Sequence, residues 1–127
     1  MTLVAKDIMM KKFAVISDST DVQKACNALI KNQVSGLPVV NAEKKLVGFL
    51  SERDIIASAC KCEVTRKKTK DIMIKKVMSV KETDPVENVS KIFTEKPFRY
   101  IPVTKNGYLI GLISRKQVIN KLMGQYY

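Results

Sequence analysis

The strongest constraint on the fold is that the chain repeats itself. Lys6-Asp7-Ile8-Met9-Met10-Lys11-Lys12 returns as Lys70-Asp71-Ile72-Met73-Ile74-Lys75-Lys76, an offset of 64. Val34-Ser35-Gly36-Leu37-Pro38-Val39 returns at the same offset of 64 as Phe98-Arg99-Tyr100-Ile101-Pro102-Val103. Leu46-Val47-Gly48-Phe49-Leu50-Ser51 returns as Leu109-Ile110-Gly111-Leu112-Ile113-Ser114, now at an offset of 63. Matches in this order over nearly the whole chain mean a tandem duplication of a unit of about sixty residues, and a repeat dictates architecture before any other feature does. Two such units are expected to pack about a pseudo-twofold axis, with sites at their junction coming in pairs.

One unit alone would be marginal, because a small domain buries too little of its surface. The full 127 residues suffice for one core, so a single module over residues 1–127 is expected. With 46% apolar residues and a mean hydropathy of −0.06 the chain has the balance of a globular protein. No apolar run approaches the roughly eighteen residues of a membrane span. The lysine-bearing N-terminus lacks the apolar stretch of a signal peptide, so no membrane association and a cytoplasmic location are expected. The odd set Cys26, Cys60 and Cys62 argues against a disulfide framework. Cys60-Lys61-Cys62 lacks the spacer of a zinc knuckle and the chain has no histidine, so no metal site is expected. Cys26 falls on an apolar helix face and reads as core.

Each unit reads as β-α-β-β-α. The first strands are expected over Ala14-Val15-Ile16 and Val77-Met78-Ser79-Val80. Thr20-Asp21-Val22-Gln23 has the form of a capping box, and Asp84-Pro85-Val86-Glu87 places a proline at the first helical position. Val22, Ala25, Cys26, Leu29 and Ile30 then share one helix face, as do Val86, Val89, Ile92 and Phe93. Two hairpins follow, the second turning at Asn106-Gly107, a strong hairpin signal. The closing helices start at Ser51 and Ser114, with Ile55, Ile56 and Ala59, and Val118, Ile119 and Leu122, expected to face inward.

Charge is unevenly spread. Residues 1–64 carry 9 basic and 7 acidic side chains, and residues 65–127 carry 14 and 5. The excess concentrates at Arg66, Lys67, Lys68, Lys70, Lys75 and Lys76. Such a field attracts nucleotide phosphates, nucleic acid or an acidic protein, or serves as a solvated surface that keeps the chain soluble.

Ser35-Gly36-Leu37-Pro38-Val39-Val40, followed by Leu46-Val47-Gly48-Phe49-Leu50-Ser51-Glu52-Arg53-Asp54-Ile55, closely resembles a CBS motif. Arg99-Tyr100-Ile101-Pro102-Val103 through Leu109-Ile110-Gly111-Leu112-Ile113-Ser114 resembles a more diverged copy, and the leading Lys-Asp-Ile-Met of both units is typical of the family. The resemblance covers motif 1 at residues 2–60, a basic linker at 61–69 and motif 2 at 70–124. It implies an α/β (α+β) module of two CBS motifs and a homodimer of two modules. The implied ligands are adenosine compounds, namely AMP, ADP, ATP or S-adenosylmethionine. The implied role is regulation of a protein partner, here a separate molecule because the chain is all module. No cofactor is implied.

No catalysis is expected, since no nucleophile has an evident base and no glycine-rich phosphate loop is present. By resemblance, Gly48-Phe49-Leu50-Ser51-Glu52-Arg53-Asp54 lines a ligand site in which Asp54 offers its two carboxylate oxygens to the two ribose hydroxyls. Ser51 and Arg53 accompany it. Val77, Met78, Tyr100, Ile101 and Pro102 form the implied adenine slot, and Arg99 is a phosphate contact suited to it by its planar permanent charge. Ser51-x-x-Asp54 is equally a helix cap with an acid in the first turn, and the two roles can coexist. A weaker second site would use Val15, Ser35, Gly36, Leu37, Pro38, Ser114 and Gln117, with Gln117 replacing the ribose-binding acid. The leading expectation is therefore an adenine-nucleotide sensor with two inequivalent sites. The alternatives are a nucleotide-modulated nucleic-acid-binding protein contacting phosphates through Arg66 to Lys76, and a structural dimer whose sites are vestigial.

Overall fold

The structure, a computed structural model, describes residues 3–59 and 66–124. Cys60, Cys62 and linker residues 61–65 lie outside the described residues. The elements are α1 (Ala5–Ile8), β1 (Ile16–Ser17), α2 (Val22–Asn32), β2 (Gly36–Val40), β3 (Leu46–Ser51) and α3 (Glu52–Ala59). They repeat as α4 (Thr69–Ile72), β4 (Val80–Lys81), α5 (Val86–Glu95), β5 (Tyr100–Lys105), β6 (Tyr108–Ser114) and α6 (Arg115–Gly124). The order β-α-β-β-α is thus present twice. Each copy is preceded by a one-turn helix where the sequence suggested only a polar segment. The first strands are also displaced toward the C-terminus of the stretches expected for them, to Ile16–Ser17 and Val80–Lys81.

The chain forms two compact units that do not coincide with the two repeats. One comprises the described residues of 14–77, the other those of 1–13 and 78–127. Each repeat's leading segment therefore packs with the body of the other repeat. The 14–77 unit holds a three-stranded sheet in the order β1-β2-β3, with β1 parallel and β3 antiparallel to β2. The other unit holds β4-β5-β6 in the same arrangement. Pro38 and Pro102, which have no N–H to give, each stand one residue before parallel pairing begins at Val39 and Val103. In both hairpins the register slips at one equivalent place, between Val39 and Val40 and between Val103 and Thr104.

The change of offset from 64 to 63 lies in the hairpin turns. Asn106 and Gly107 both adopt positive φ, 53° and 86°, as a tight two-residue turn demands. The other turn is one residue longer. The Asn41 side chain organises it by accepting the Glu43 and Lys45 N–H groups at 2.9 and 3.0 Å.

The exchanged leaders are held by backbone and by close approach. Ile74 and Phe49 exchange N–H···O bonds of 2.9 Å, while Met10 and Leu112 do the same at 2.8 and 3.1 Å. These bridges cover the open edges of β3 and β6, which an exposed strand edge requires. Gly48 and Gly111 make room for them. A Cβ on Gly48 would collide with the Met73 side chain and the Ile74 carbonyl, and one on Gly111 with the Met9 side chain.

The capping box expected at Thr20 to Gln23 does not form. Asp21 is the N-cap without a side-chain cap bond, and the Val22 N–H donates to the Lys67 carbonyl at 3.0 Å. The Thr20 carbonyl accepts both the N–H and the hydroxyl of Thr69, each at 2.8 Å. Lys68 Nζ lies 2.6 Å from Asp21 Oδ1. Tertiary partners from the segment after the linker have thus replaced the local cap. The start of α5 shifts similarly. Pro85 is its N-cap, and the Val86 N–H donates to the Leu3 carbonyl at 3.0 Å.

Ile16, Ala25, Leu29, Leu37, Val39 and Leu50 form the core of the first unit. Ala5, Ile8, Val80, Val86, Val89, Ile101, Val103, Ile113 and Val118 form that of the second. Several residues expected to face inward do not. Ile30 is 76%, Ile56 63% and Ile119 58% exposed, Ala59 and Leu122 are exposed, and Cys26 is only partly buried. α2 buries Val22, Ala25 and Leu29, α6 buries Val118 and α3 buries no residue fully, so these positions lie outside what their helices cover. Partial burial nevertheless holds the Cys26 thiol above its ordinary value.

Candidate ligand-binding site

The junction of β3 with α3 carries a closed set of polar contacts. Asp54 Oδ2 accepts the Ser51 N–H at 2.9 Å and the Ser51 hydroxyl at 2.8 Å, and the Asp54 N–H lies 3.3 Å from Ser51 Oγ. This is a reciprocal cap in which an acceptor three residues along satisfies donors left free at the helix start. Both residues are half-buried. Oδ2 is thus engaged twice within the cap. Oδ1 accepts no hydrogen bond among the described residues. It has lone pairs for two donors. Arg53 projects exposed from α3 beside it.

The corresponding junction of β6 with α6 has the same geometry with a different side chain. Gln117 Oε1 accepts the Ser114 N–H at 2.9 Å and the Ser114 hydroxyl. Its acceptor oxygen is consumed, which leaves the amide NH2 outward as a donor. Asp54 and Gln117 are interchangeable as caps but opposite in what they offer beyond the cap.

The other residues singled out from the sequence fall as follows. Ile101 and Leu37 sit in the two cores, and Pro38, Pro102 and Gly36 are buried in their strands. Val77 and Ser35 are half-buried and Tyr100 is partly buried, while Val15, Met78 and Arg99 are exposed. Of the basic run, Arg66, Lys70, Lys75 and Lys76 are exposed and Lys67 is half-buried. Lys68 is committed to Asp21. That pairing lowers the Asp21 carboxyl below its ordinary value, first through the hydrogen bond and then through the lysine's charge. Arg115, which drew no attention in the sequence, donates from Nε to the Phe98 carbonyl at 3.1 Å. Among the described residues, no cluster of His, Cys, Asp and Glu could hold a metal ion, and no helix is long and apolar enough to cross a membrane.

The description of the CBS domain matches the chain twice, over residues 5–60 and 70–124. The chain belongs to the CBS-domain family. Its fold is that of a tandem CBS pair, as in CBSX2 of Arabidopsis thaliana. The complex of CBSX2 with AMP has a TM-score of 0.89 and 27% identity to this chain, covering 98% of it and 99% of CBSX2. A CBS domain pair solved with 5′-methylthioadenosine and S-adenosyl-L-methionine has a TM-score of 0.80 at 25% identity, covering both chains completely. Among sequence relatives, inosine-5′-monophosphate dehydrogenase of Methanocaldococcus jannaschii is 30% identical over 92% of this chain, which spans 23% of that enzyme's length. Two CBS pairs that resemble this one were thus solved with adenosine compounds, and the chain also matches part of an enzyme.

Proposed function

We propose that this CBS pair is a non-catalytic regulatory module. It binds an adenosine compound of the class AMP, ADP, ATP or S-adenosylmethionine and conveys the bound state to a protein partner. The observation that carries this reading is Asp54. Its carboxylate is held rigidly through Oδ2 by Ser51, with Oδ1 left as an open acceptor for ribose hydroxyls. The AMP complex of CBSX2 and the complex with 5′-methylthioadenosine and S-adenosyl-L-methionine support the ligand class. Ser51, Arg53 and Val77 of the same unit are the further contacts proposed. The Ser114–Gln117 side lacks a ribose acceptor and binds adenosine more weakly.

Titration calorimetry with adenosine and AMP tests this. Asp54→Asn keeps an oxygen for the Ser51 donors but loses the charge. A hydrogen bond to a charged group is worth about 1.5–3 kcal/mol, so affinity should fall by roughly 10- to 150-fold with the unfolding midpoint little changed. Unchanged affinity in Asp54→Asn would refute the ribose role.

Homodimer formation is part of the same proposal. Ile119, Leu122 and Met123 leave an apolar stripe exposed on α6 that a second copy would cover. Leu122→Glu should then shift the sedimentation of the protein toward monomer. Identical sedimentation of variant and parent would remove that surface from consideration.

A further inference from the structure

The asparagines at the two hairpin turns are held very differently. Asn41 is locked, because its Oδ1 accepts the Glu43 and Lys45 N–H groups, and the residue after it is Ala42. Asn106 is exposed, its side-chain amide forms no hydrogen bond among the described residues, and Gly107 follows it. The Gly107 N–H points into the turn rather than across the sheet and has no acceptor among the described residues, since the strands resume their pairing at Lys105 and Tyr108. At the other asparagines the next N–H is already committed. After Asn32 the Gln33 N–H donates to the Ile30 carbonyl at 3.2 Å, and Asn32 Nδ2 itself donates to the Ala28 carbonyl at 2.7 Å. After Asn88 the Val89 N–H donates to the Pro85 carbonyl at 3.4 Å. Asn27 and Asn120 lie inside α2 and α6, where the following N–H belongs to the helix ladder.

We propose that Asn106 is a site of self-modification, at which the chain converts its own side-chain amide to a carboxylate. The Gly107 nitrogen attacks Asn106 Cγ, a new N–C bond closes a five-membered imide, and the Cγ–Nδ2 bond breaks. Ammonia leaves with the proton that the Gly107 nitrogen gives up. Water then opens the imide at one carbonyl or the other, which yields aspartate or isoaspartate. Ring closure turns the main chain at Asn106, and glycine permits this because it has no Cβ to obstruct the attack and is free in φ. Either product places a carboxylate at the tip, next to Lys105, whose ammonium already faces Glu82 at 3.5 Å. The isoaspartyl product also routes the main chain through Cβ. The turn then holds one backbone atom more than a two-residue hairpin fits, between the paired Lys105 and Tyr108. The two units therefore age unequally, the second through its hairpin and the first not.

The test is prolonged incubation of the folded chain at mildly alkaline pH, followed by digestion in acid and peptide mapping by mass spectrometry. The mass rise of an NH replaced by O should be confined to the peptide holding position 106, be divided between aspartate and isoaspartate, and grow faster as pH is raised. Asn106→Gln, which would have to close a larger ring, should stay unmodified under the same conditions. The converted protein, separated from the parent by its extra negative charge on ion exchange, should unfold at lower urea. No conversion at 106 in the folded chain under conditions that convert the urea-unfolded chain would overturn the proposal, because the turn would then protect the amide. Equal conversion at Asn41 and Asn106 would overturn it as well. Identical urea unfolding of converted and parent protein would overturn the consequence for the hairpin.

Discussion

Gly111→Ala probes the exchanged leaders directly. The three atoms nearest a new Cβ all belong to the Met9 side chain. Forcing a methyl group into a packed site costs about 1–3 kcal/mol, offset by about 0.4–1 kcal/mol from the smaller entropy of the unfolded chain. The net loss should be about 0.5–2 kcal/mol, which for a chain of this length lowers the melting temperature by roughly 2–7 °C. Because the obstacle is a flexible side chain, truncating it should relieve the clash. Met9→Ala combined with Gly111→Ala should therefore be less destabilised than the sum of the single variants, by about 1 kcal/mol. Gly48→Ala behaves differently. Besides the Met73 side chain it meets the Ile74 carbonyl at 2.9 Å, an atom of the main chain. Met73→Ala should rescue it only partly. Urea unfolding followed by circular dichroism gives all the energies of both cycles. If Met9→Ala and Gly111→Ala add within about 0.5 kcal/mol, as independent sites do, the first leader does not lie on β6 and the exchange is refuted. Coupling of Met9 to Gly48 would refute it too.

Thr69 is fully buried and donates its hydroxyl to the Thr20 carbonyl at 2.8 Å. Thr69→Val keeps the shape and removes that bond, so it should cost about 0.5–1.5 kcal/mol in the same urea assay; a neutral result would show that the hydroxyl contributes nothing. The Asp21–Lys68 pair predicts a pH dependence. The folded Asp21 carboxyl is held below its ordinary value of 3.8. Its contribution is then complete above that value and is lost as pH falls through the depressed one. Between pH 5 and pH 2 the parent should lose stability more steeply than Asp21→Asn, and parallel profiles would discount the pair.

Much of this architecture is local and therefore legible. Hairpin turning at Asn106-Gly107 needs only two residues that tolerate positive φ. Ser51-x-x-Asp54 and Ser114-x-x-Gln117 cap their helices because residues three apart meet at a helix start. The sequence did not reveal that capping would spend Asp54 Oδ2, since a motif names its residues and not the hydrogen bonds they choose. Nor could periodicity expose Ile30, Ile56 and Ile119. It identifies residues that share a helix face but not the width of the surface that covers it. At Thr20–Gln23 a plausible local cap lost to tertiary partners, the Lys67 carbonyl and Thr69, which no window around α2 contains.

By itself, the sequence determined that there are two copies of one unit, which residues of the copies correspond, and where they differ. Asp54 faces Gln117 in that correspondence, and Ser35 faces Arg99. Tertiary structure alone decided how the copies are divided. Both leaders read Lys-Asp-Ile-Met, so each is chemically suited to either body. The choice rests on which edge strand each can reach and bond: Met10 on Leu112, Ile74 on Phe49, with glycines beneath Met9 and Met73. Only the folded chain sets Arg115 against the carbonyl that precedes Arg99.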